Sequence, residues 1–367
     1  MNRKYIISGG GTGGHIFPAL SIAGEIRKRD PEASILFVGA LKRMEMEKVP
    51  AAGYPIIGLP IEGLKRKIGF KNIVVLYKLI ISLFKASEII KSFKPDAVIG
   101  VGGYASGPLL RMAALRKIPT IIQEQNSYAG VTNRLLAKKA KKICVAYEGM
   151  EKYFPAGKIV LTGNPVREEL VNQSVRKSVA CAYFGIPDNK PVVLILGGSL
   201  GARTINESIL RQVETFEKEN VQILWQTGRL YFDRIAEQLN HRALKNTKYF
   251  DFISRMDMAY GAADIIISRA GAATISELCL LGKPAILVPS PNVAEDHQTK
   301  NAMALVKQEA AMMIPDKDAE EKLVLQTLDL LQDTELQHKL GINCKKMALT
   351  GSASKIVDEI FKLTEKR

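Results

Sequence analysis

The chain reads as an α/β protein built from two open, mostly parallel sheets, each covered by helices. Three observations predict this. Short apolar runs alternate with amphipathic stretches from end to end, the βαβα order of parallel sheets. The halves also echo each other: "IISGGGTGGH" and "LILGGSLGAR" are both an apolar run, a glycine loop and the start of a helix. Finally, 367 residues are too many for one comfortable core and suit two domains.

In the first half, strands are expected at "KYIIS", "SILFVG", "YPIIGLP", "DAVIGVG", "PTIIQEQ", "KICVAY" and "KIVLTG", with helices such as "PALSIAGEIRKR" and "NRLLAKKA" between them. In the second half, "VVLILGG", "VQILWQTG", "YFDFI", "ADIIISRAG", "PAILVPS" and "AAMMIP" are strands. Helices there begin near Ala202, Leu230, Met256, Ala273, Gln298 and Ala319. Pro165 interrupts regular structure after Gly163, which sets domains at 1–163 and 164–349. The segment about 350–367 is a helix with Ser and Gly at its start, expected to pack back on the first domain.

Composition is that of an ordinary globular protein, 47% hydrophobic and 24% charged. Four scattered cysteines form neither a CxxC nor a Cys/His cluster, so neither zinc nor a disulfide scaffold is expected. No run of 18 apolar residues occurs, and the first apolar stretch is too short for a signal peptide. The charge is lopsided. All of the +15 net charge lies in residues 1–163, which implies an anionic partner for that half alone.

Glycine lets backbone N–H groups approach an anion, and a helix N-terminus adds partial positive charge. A glycine loop between strand and helix is therefore a phosphate cradle, or else a tight turn needing positive φ. Three such loops occur: "GGGTGGH", "GVGGYASGP" and "GGSLGAR". The first and third, one per domain, would hold two diphosphates. A dinucleotide site is the rival, but its acidic ribose ligand is missing after "ILFVG". No GKS or GKT follows any loop, so a P-loop fails as well.

Several polar side chains near strand ends could act on a ligand held by these loops. His15 closes the first loop and either takes a proton from a hydroxyl or donates to an anion. "QEQN" (123–126) places four polar residues at a strand's carboxyl end, apt for a sugar or for a turn with a helix cap. Glu277 either accepts ribose hydroxyls or is an ordinary first-turn acid. "PNVAEDHQTKNA" crowds amide, acid and imidazole groups into another strand-to-helix loop. "DKD" (316–318) reads as a solvated turn rather than a metal site, so no metal or cofactor is expected. Loop amides and helix dipoles would then stabilise a leaving diphosphate.

Residues 63–96 are basic and very apolar. Ile73, Leu76, Leu79, Ile80, Leu83 and Phe84 follow helical spacing, with Lys71, Lys78, Lys85 and Lys91 as a basic stripe. This pattern fits a helix lying on an anionic membrane surface, or one facing the core with solvated lysines. Nucleic acid is not expected, since no binding motif or interleaved stacking aromatics accompany the charge.

The series "GGGTGGH", "GGYASGP", "QEQNSYAGVTNR", "GNPVR", "GGSLGAR", "SRAGAATISEL" and "DHQTKNA", in order, resembles the MurG family of bacterial glycosyltransferases. The resemblance covers essentially the whole chain. It implies a GT-B fold, two Rossmann-like parallel-sheet domains facing across a cleft. The activity implied is inverting transfer of N-acetylglucosamine from UDP-GlcNAc to the muramyl 4-hydroxyl of lipid I, giving lipid II. This is a step of peptidoglycan synthesis, at the cytoplasmic face of the membrane. The carboxyl-terminal domain would hold the donor. Ile253 would meet uracil through its backbone with Arg167 nearby, Glu277 the ribose and Ser199 the diphosphate. Asn126, Ala272, Ala273, Thr274, His297 and Gln298 would surround the sugar, with Thr12 and Gly13 also on the donor. His297 stands where some relatives have Gln. Gly11, Gly14, Gly102, Gly103 and Tyr104 would take the acceptor diphosphate, and His15 would be the base. A UDP-sugar epimerase or hydrolase on the same fold, and a non-catalytic membrane scaffold, are the alternatives.

Overall fold

The structure, a computed structural model, describes residues 2–63, 70–166, 170, 175–198, 200–293 and 296–365. It divides into two compact units, Met1–Arg167 with Leu349–Arg367, and Glu168–Ala348.

The first unit runs β1 (Lys4–Ser8), α1 (Gly13–Arg29), β2 (Ser34–Ala40), α2 (Glu45–Ala51), β3 (Ile56–Leu59), α3 (Phe70–Phe93), β4 (Ala97–Gly100), α4 (Ser106–Leu115), β5 (Thr120–Glu124), α5 (Val131–Ala137), β6 (Lys142–Val145) and β7 (Ile159–Leu161). Its strands pair in parallel in the order β3-β2-β1-β4-β5-β6-β7. The runs are continuous apolar stretches because both faces of the sheet are covered. Along β1, Ile6 enters one core with Leu36 and Val98, while Tyr5 and Ile7 enter the other with Ile22 and Ile26 of α1.

The second unit runs α6 (Lys177–Phe184), β8 (Val192–Leu196), α7 (Arg203–Lys218), β9 (Gln222–Gln226), α8 (Phe232–Leu239), β10 (Thr247–Phe250), α9 (Met256–Ala262), β11 (Ile265–Ser268), α10 (Ala272–Leu281), β12 (Ala285–Leu287), α11 (His297–Val306), β13 (Met312–Met313), α12 (Ala319–Gln332) and α13 (Thr334–Lys346). Its parallel order, β10-β9-β8-β11-β12-β13, repeats that of the first sheet. In both sheets the order reverses beside the leading strand, at β1/β4 and at β8/β11. Open α/β sheets bind ligands beyond the strand ends at such a point.

Helix α14 (Ser352–Thr364) returns to the first unit. Ile356, Val357 and Ile360 are fully buried there in the core with Ala19, Ile22 and Ala23. Burying each large side chain contributes about 1.5–3 kcal/mol. Arg29 adds an ion pair with Asp358 at 2.6 Å.

Three details depart from the sequence expectation. Strand β10 ends at Phe250, opposite Gln226, instead of running through "YFDFI", because the chain turns there and carries Ile253 back to Gln226. Helices α6 and α13 stand where the sequence pattern predicts none. In α3 the apolar residues divide between faces: Val75, Ala86, Ile89 and Ile90 are buried, while Ile73, Leu76, Tyr77, Ile80 and Phe84 are exposed. Part of the basic segment, residues 64–69, lies outside the described residues. Among the described residues, no helix is long and apolar enough to cross a membrane.

Candidate active site

In the first unit the strands at the reversal point, β1 and β4, each empty into a glycine loop. The two loops touch. Gly102 and Gly103 adopt φ of +95° and +86°, which favour glycine. A Cβ on Gly103 would lie 2.5 Å from the Gly10 carbonyl oxygen, and one on Gly102 would lie 2.8 Å from Nε2 of His15. Ser106 Oγ, at the start of α4, reaches both Ser8 O (3.0 Å) and Gly102 O (2.9 Å), which ties the second loop to the end of β1.

His15 sits in the first turn of α1, whose N-cap is the exposed Thr12. Its Nδ1 lies 3.1 Å from Gly10 O and 3.2 Å from Thr12 Oγ1. A carbonyl only accepts, so this geometry assigns the hydrogen of the neutral ring to Nδ1. Nε2, on the Gly102 side, is then the nitrogen that can take a proton. Gly13 and Gly14 form the opening of α1, and Tyr104 is half-exposed next to Gly63.

A residue that sequence reasoning missed lies beneath the first loop. Glu45 is fully buried, with Oε2 accepting from Gly11 N (2.9 Å) and Oε1 from Ala40 N (3.0 Å). The amide of Gly11 is therefore engaged by a carboxylate of the protein itself.

The "QEQN" segment is largely spent on internal bonds. Gln123 Nε2 donates to Asn164 Oδ1 (2.9 Å), and Asn164 Nδ2 to Gln125 O (3.0 Å). Gln125 Nε2 donates to Val101 O (2.6 Å). Glu124 accepts from Gly130 N (3.0 Å), Asn133 Nδ2 (2.8 Å) and Asn126 N (3.0 Å). Buried polar groups must be satisfied in this way. Asn126 alone of the four lies toward the surface, held by Glu124.

In the second unit, the loop after β8 packs against the turn after β9. Gln226, at the end of β9, bridges two parts of the site. Its Nε2 donates to Gly198 O (3.1 Å) and its Oε1 accepts from Ile253 N (2.8 Å). The Ile253 N–H is thus engaged within the protein. Arg255 and Asp257 form a bidentate pair just beyond (2.9 and 2.6 Å), and the guanidinium holds the Asp257 carboxyl below its usual range. Ser199 and Arg167, expected at the donor, lie outside the described residues.

Helix α10 begins at the end of β11, with Ala272, Ala273 and Thr274 as its first turn. Helix N-termini leave their first N–H groups without helical acceptors. Glu277 is in the second turn, not the first, so first-turn charge stabilisation does not explain it. It is buried, and its Oε2 accepts from Tyr260 OH at 2.7 Å. His297 opens α11, and Gln298 Oε1 accepts from Ser290 N at 2.8 Å, which aims the NH2 of Gln298 as the donor end. "DKD" is not a solvated turn. Asp316 accepts from Thr204 Oγ1 (2.9 Å) and pairs with Arg269, which also donates to Val288 O (3.0 Å). That cluster braces the start of α7 and the loop after β11. Among the described residues, no three His, Cys, Asp or Glu side chains gather as a metal set.

Glycine loops after the leading strand of each parallel sheet, one of them leading to a histidine, suit a protein that handles a nucleotide sugar. The comparisons agree. The glycosyltransferase family 28 N-terminal domain matches residues 5–145 and the family 28 C-terminal domain residues 192–355. The chain is 59% identical over 367 residues to a Parabacteroides distasonis protein, covering all of both chains. It is 56% identical to one from Phocaeicola vulgatus, covering 100% of this chain and 97% of that one. Both are called UDP-N-acetylglucosamine–N-acetylmuramyl-(pentapeptide) pyrophosphoryl-undecaprenol N-acetylglucosamine transferase. The crystal structure of Acinetobacter baumannii MurG superposes with a TM-score of 0.77 at 29% identity, over 99% of this chain and 100% of that one. A Neisseria meningitidis UDP-GlcNAc 2-epimerase (TM-score 0.67, 16% identity) shares the fold alone. The protein is thus a family 28 glycosyltransferase with a GT-B fold. Within that class, the chain belongs to the MurG family.

Proposed function

We propose that this protein moves N-acetylglucosamine from UDP-GlcNAc to the 4-hydroxyl of the muramyl sugar of lipid I. The observation that carries this reading is the end-to-end relationship, 59% identity over all 367 residues, to transferases of that name. The geometry supports the assignment of roles. In the first unit, Nε2 of His15 takes the hydroxyl proton while Nδ1 holds the Gly10 carbonyl. The hydroxyl oxygen attacks C1 of the α-linked donor and the C1–O bond to UDP breaks. A β-1,4 bond forms with inversion, and UDP leaves with the bonding electrons. Gly11, Gly14, Gly102, Gly103 and Tyr104 line the acceptor side.

In the second unit, the β8 loop with Ser199 and the first turn of α10 carry the leaving diphosphate. Glu277, aimed by Tyr260, accepts the ribose hydroxyls. Ile253 and Arg167 meet the base, with uracil either displacing Gln226 from the Ile253 N–H or using the carbonyl. Ala272, Ala273, Thr274, His297 and Gln298 contact the sugar, as do Asn126, Thr12 and Gly13 of the first unit.

The first unit also docks on the cytoplasmic leaflet. Exposed Ile73, Leu76, Tyr77, Ile80 and Phe84 on α3, in the half that carries all the excess positive charge, support contact with an anionic lipid surface. The functional test is to incubate the protein with UDP-GlcNAc and a lipid I analogue in the presence of a chelator. A β-1,4 disaccharide plus UDP is expected. An N-acetylmannosamine product or free N-acetylglucosamine formed without acceptor would instead establish an epimerase or hydrolase.

A further inference from the structure

The buried carboxylate of Glu45 has no part in the chemistry above, yet it ties the first glycine loop, which leads to His15, to the end of β2. Its side chain rises from the first residue of α2 and is completely enclosed. One oxygen accepts the amide of Ala40, the last residue of β2, and the other that of Gly11, in the middle of the first glycine loop. The surroundings are cut to its shape. A Cβ on Gly39 would come within 2.5 Å of Glu45 Cγ, and one on Gly10 would fall on the carboxylate itself. Gly10 and Gly39 therefore leave room for this one side chain. A buried carboxylate is costly unless its oxygens are satisfied, and both are met by backbone amides.

We infer that Glu45 is a positioning residue for proton transfer, acting through the Gly10–Gly11 peptide on His15. Glu45 clamps the Gly11 amide. The adjoining Gly10 carbonyl accepts the Nδ1–H of His15 at 3.1 Å and is the atom against which Gly103 packs. One carboxylate thus sets the ring's tautomer and orientation, and the seating of the second loop on the first. A carboxamide cannot replace it. It offers one acceptor, and its NH2 would face an N–H. The inference rests on the reading of His15 as base.

The test is a double-mutant cycle on the full-length protein, with UDP-GlcNAc and a lipid I analogue both saturating. Glu45→Gln should lower kcat at least about tenfold, a part of the roughly 10²–10⁴-fold that general base catalysis supplies. The dissociation constant for UDP should stay within about twofold, because uracil, ribose and the leaving diphosphate are assigned to Ile253, Glu277 and the β8 loop of the other unit. In a His15→Ala background, the same change should cost less than about twofold. A full kcat in Glu45→Gln would overturn the inference, as would losses that simply multiply in the double mutant. If His15→Ala alone leaves kcat intact, the base assignment fails, which is a separate result. Should Glu45→Gln not fold, Glu45→Asp takes its place under the same outcomes. It keeps the charge but is too short to span both amides.

Discussion

In both units the leading strand is followed by a glycine loop and a helix, but the loops are held in different ways. In the first unit the loop amide is gripped by an enclosed carboxylate, Glu45, and a histidine stands in the first turn of the helix that follows. In the second, the loop carbonyl of Gly198 is held by a neutral amide, Gln226, which at the same time occupies the Ile253 N–H. The difference follows from the tasks proposed for each. A proton acceptor must point in one direction, and a charge-assisted clamp holds its loop firmly. A donor site must take up and release a nucleotide every turnover, and neutral hydrogen bonds, worth about 0.5–1.5 kcal/mol net, are readily exchanged. Glycine spacing thus specifies the backbone cradle, and the partner side chain beneath it specifies the use.

The comparison breaks most easily at His15. His15→Ala should lower kcat by about 10²–10⁴-fold with the KM for UDP-GlcNAc nearly unchanged, in steady-state assays. A rise in that KM at constant kcat would move His15 to the donor side. Next in size is Glu277. Glu277→Ala removes an acceptor for ribose worth about 1.5–3 kcal/mol, so KM for UDP-GlcNAc should rise roughly 10–100-fold, while Tyr260→Phe should have a smaller effect in the same direction. An unchanged KM would remove Glu277 from the ribose.

The charge contrast between the units predicts the third effect. Phe84→Asp, at an exposed position on α3, should weaken flotation with anionic vesicles by about tenfold or more, since one buried Phe contributes about 1.5–3 kcal/mol. Wild-type binding should fall as salt rises. Equal binding to zwitterionic vesicles at all salt concentrations would show that the basic half is not what attracts the surface. The smallest effect is expected at Gln226. Gln226→Ala should weaken UDP binding only several-fold, because it loses positioning of the Gly198 carbonyl but frees the Ile253 N–H for the base. Tighter binding would mean that the competition at Ile253 outweighs the bracing of the loop.

Much of this arrangement is legible in the sequence, for a simple reason. The central strands, β1, β4, β8 and β11 among them, are buried apolar runs that lead into glycine or polar residues, so they stand out. The glycine loops are equally visible because they carry their signal within a few residues. What is not legible comes from residues far apart in the chain. Glu45 lies 34 residues from Gly11, and nothing in "RMEME" marks it; only the glycines at 10 and 39 hint that something fills the space beside them. Gln226 serves Ile253 across a strand and a loop. The polar "QEQ" looks like a ligand site until Asn164, 41 residues beyond Gln123, closes its network. Asp316 looks solvated because its partners, Thr204 at the start of α7 and Arg269 in the loop after β11, are distant in the sequence.

The central claim is that His15, beside the first glycine loop, carries out the proton transfer while the loops of the second unit hold the nucleotide of the donor. It is tested most directly by the single-turnover rate of His15→Gln with both substrates saturating, alongside calorimetric binding of UDP. The account predicts a rate at least about 100-fold below wild type with UDP affinity unchanged. A wild-type rate, or a loss of UDP affinity large enough to explain a slow one, would contradict it.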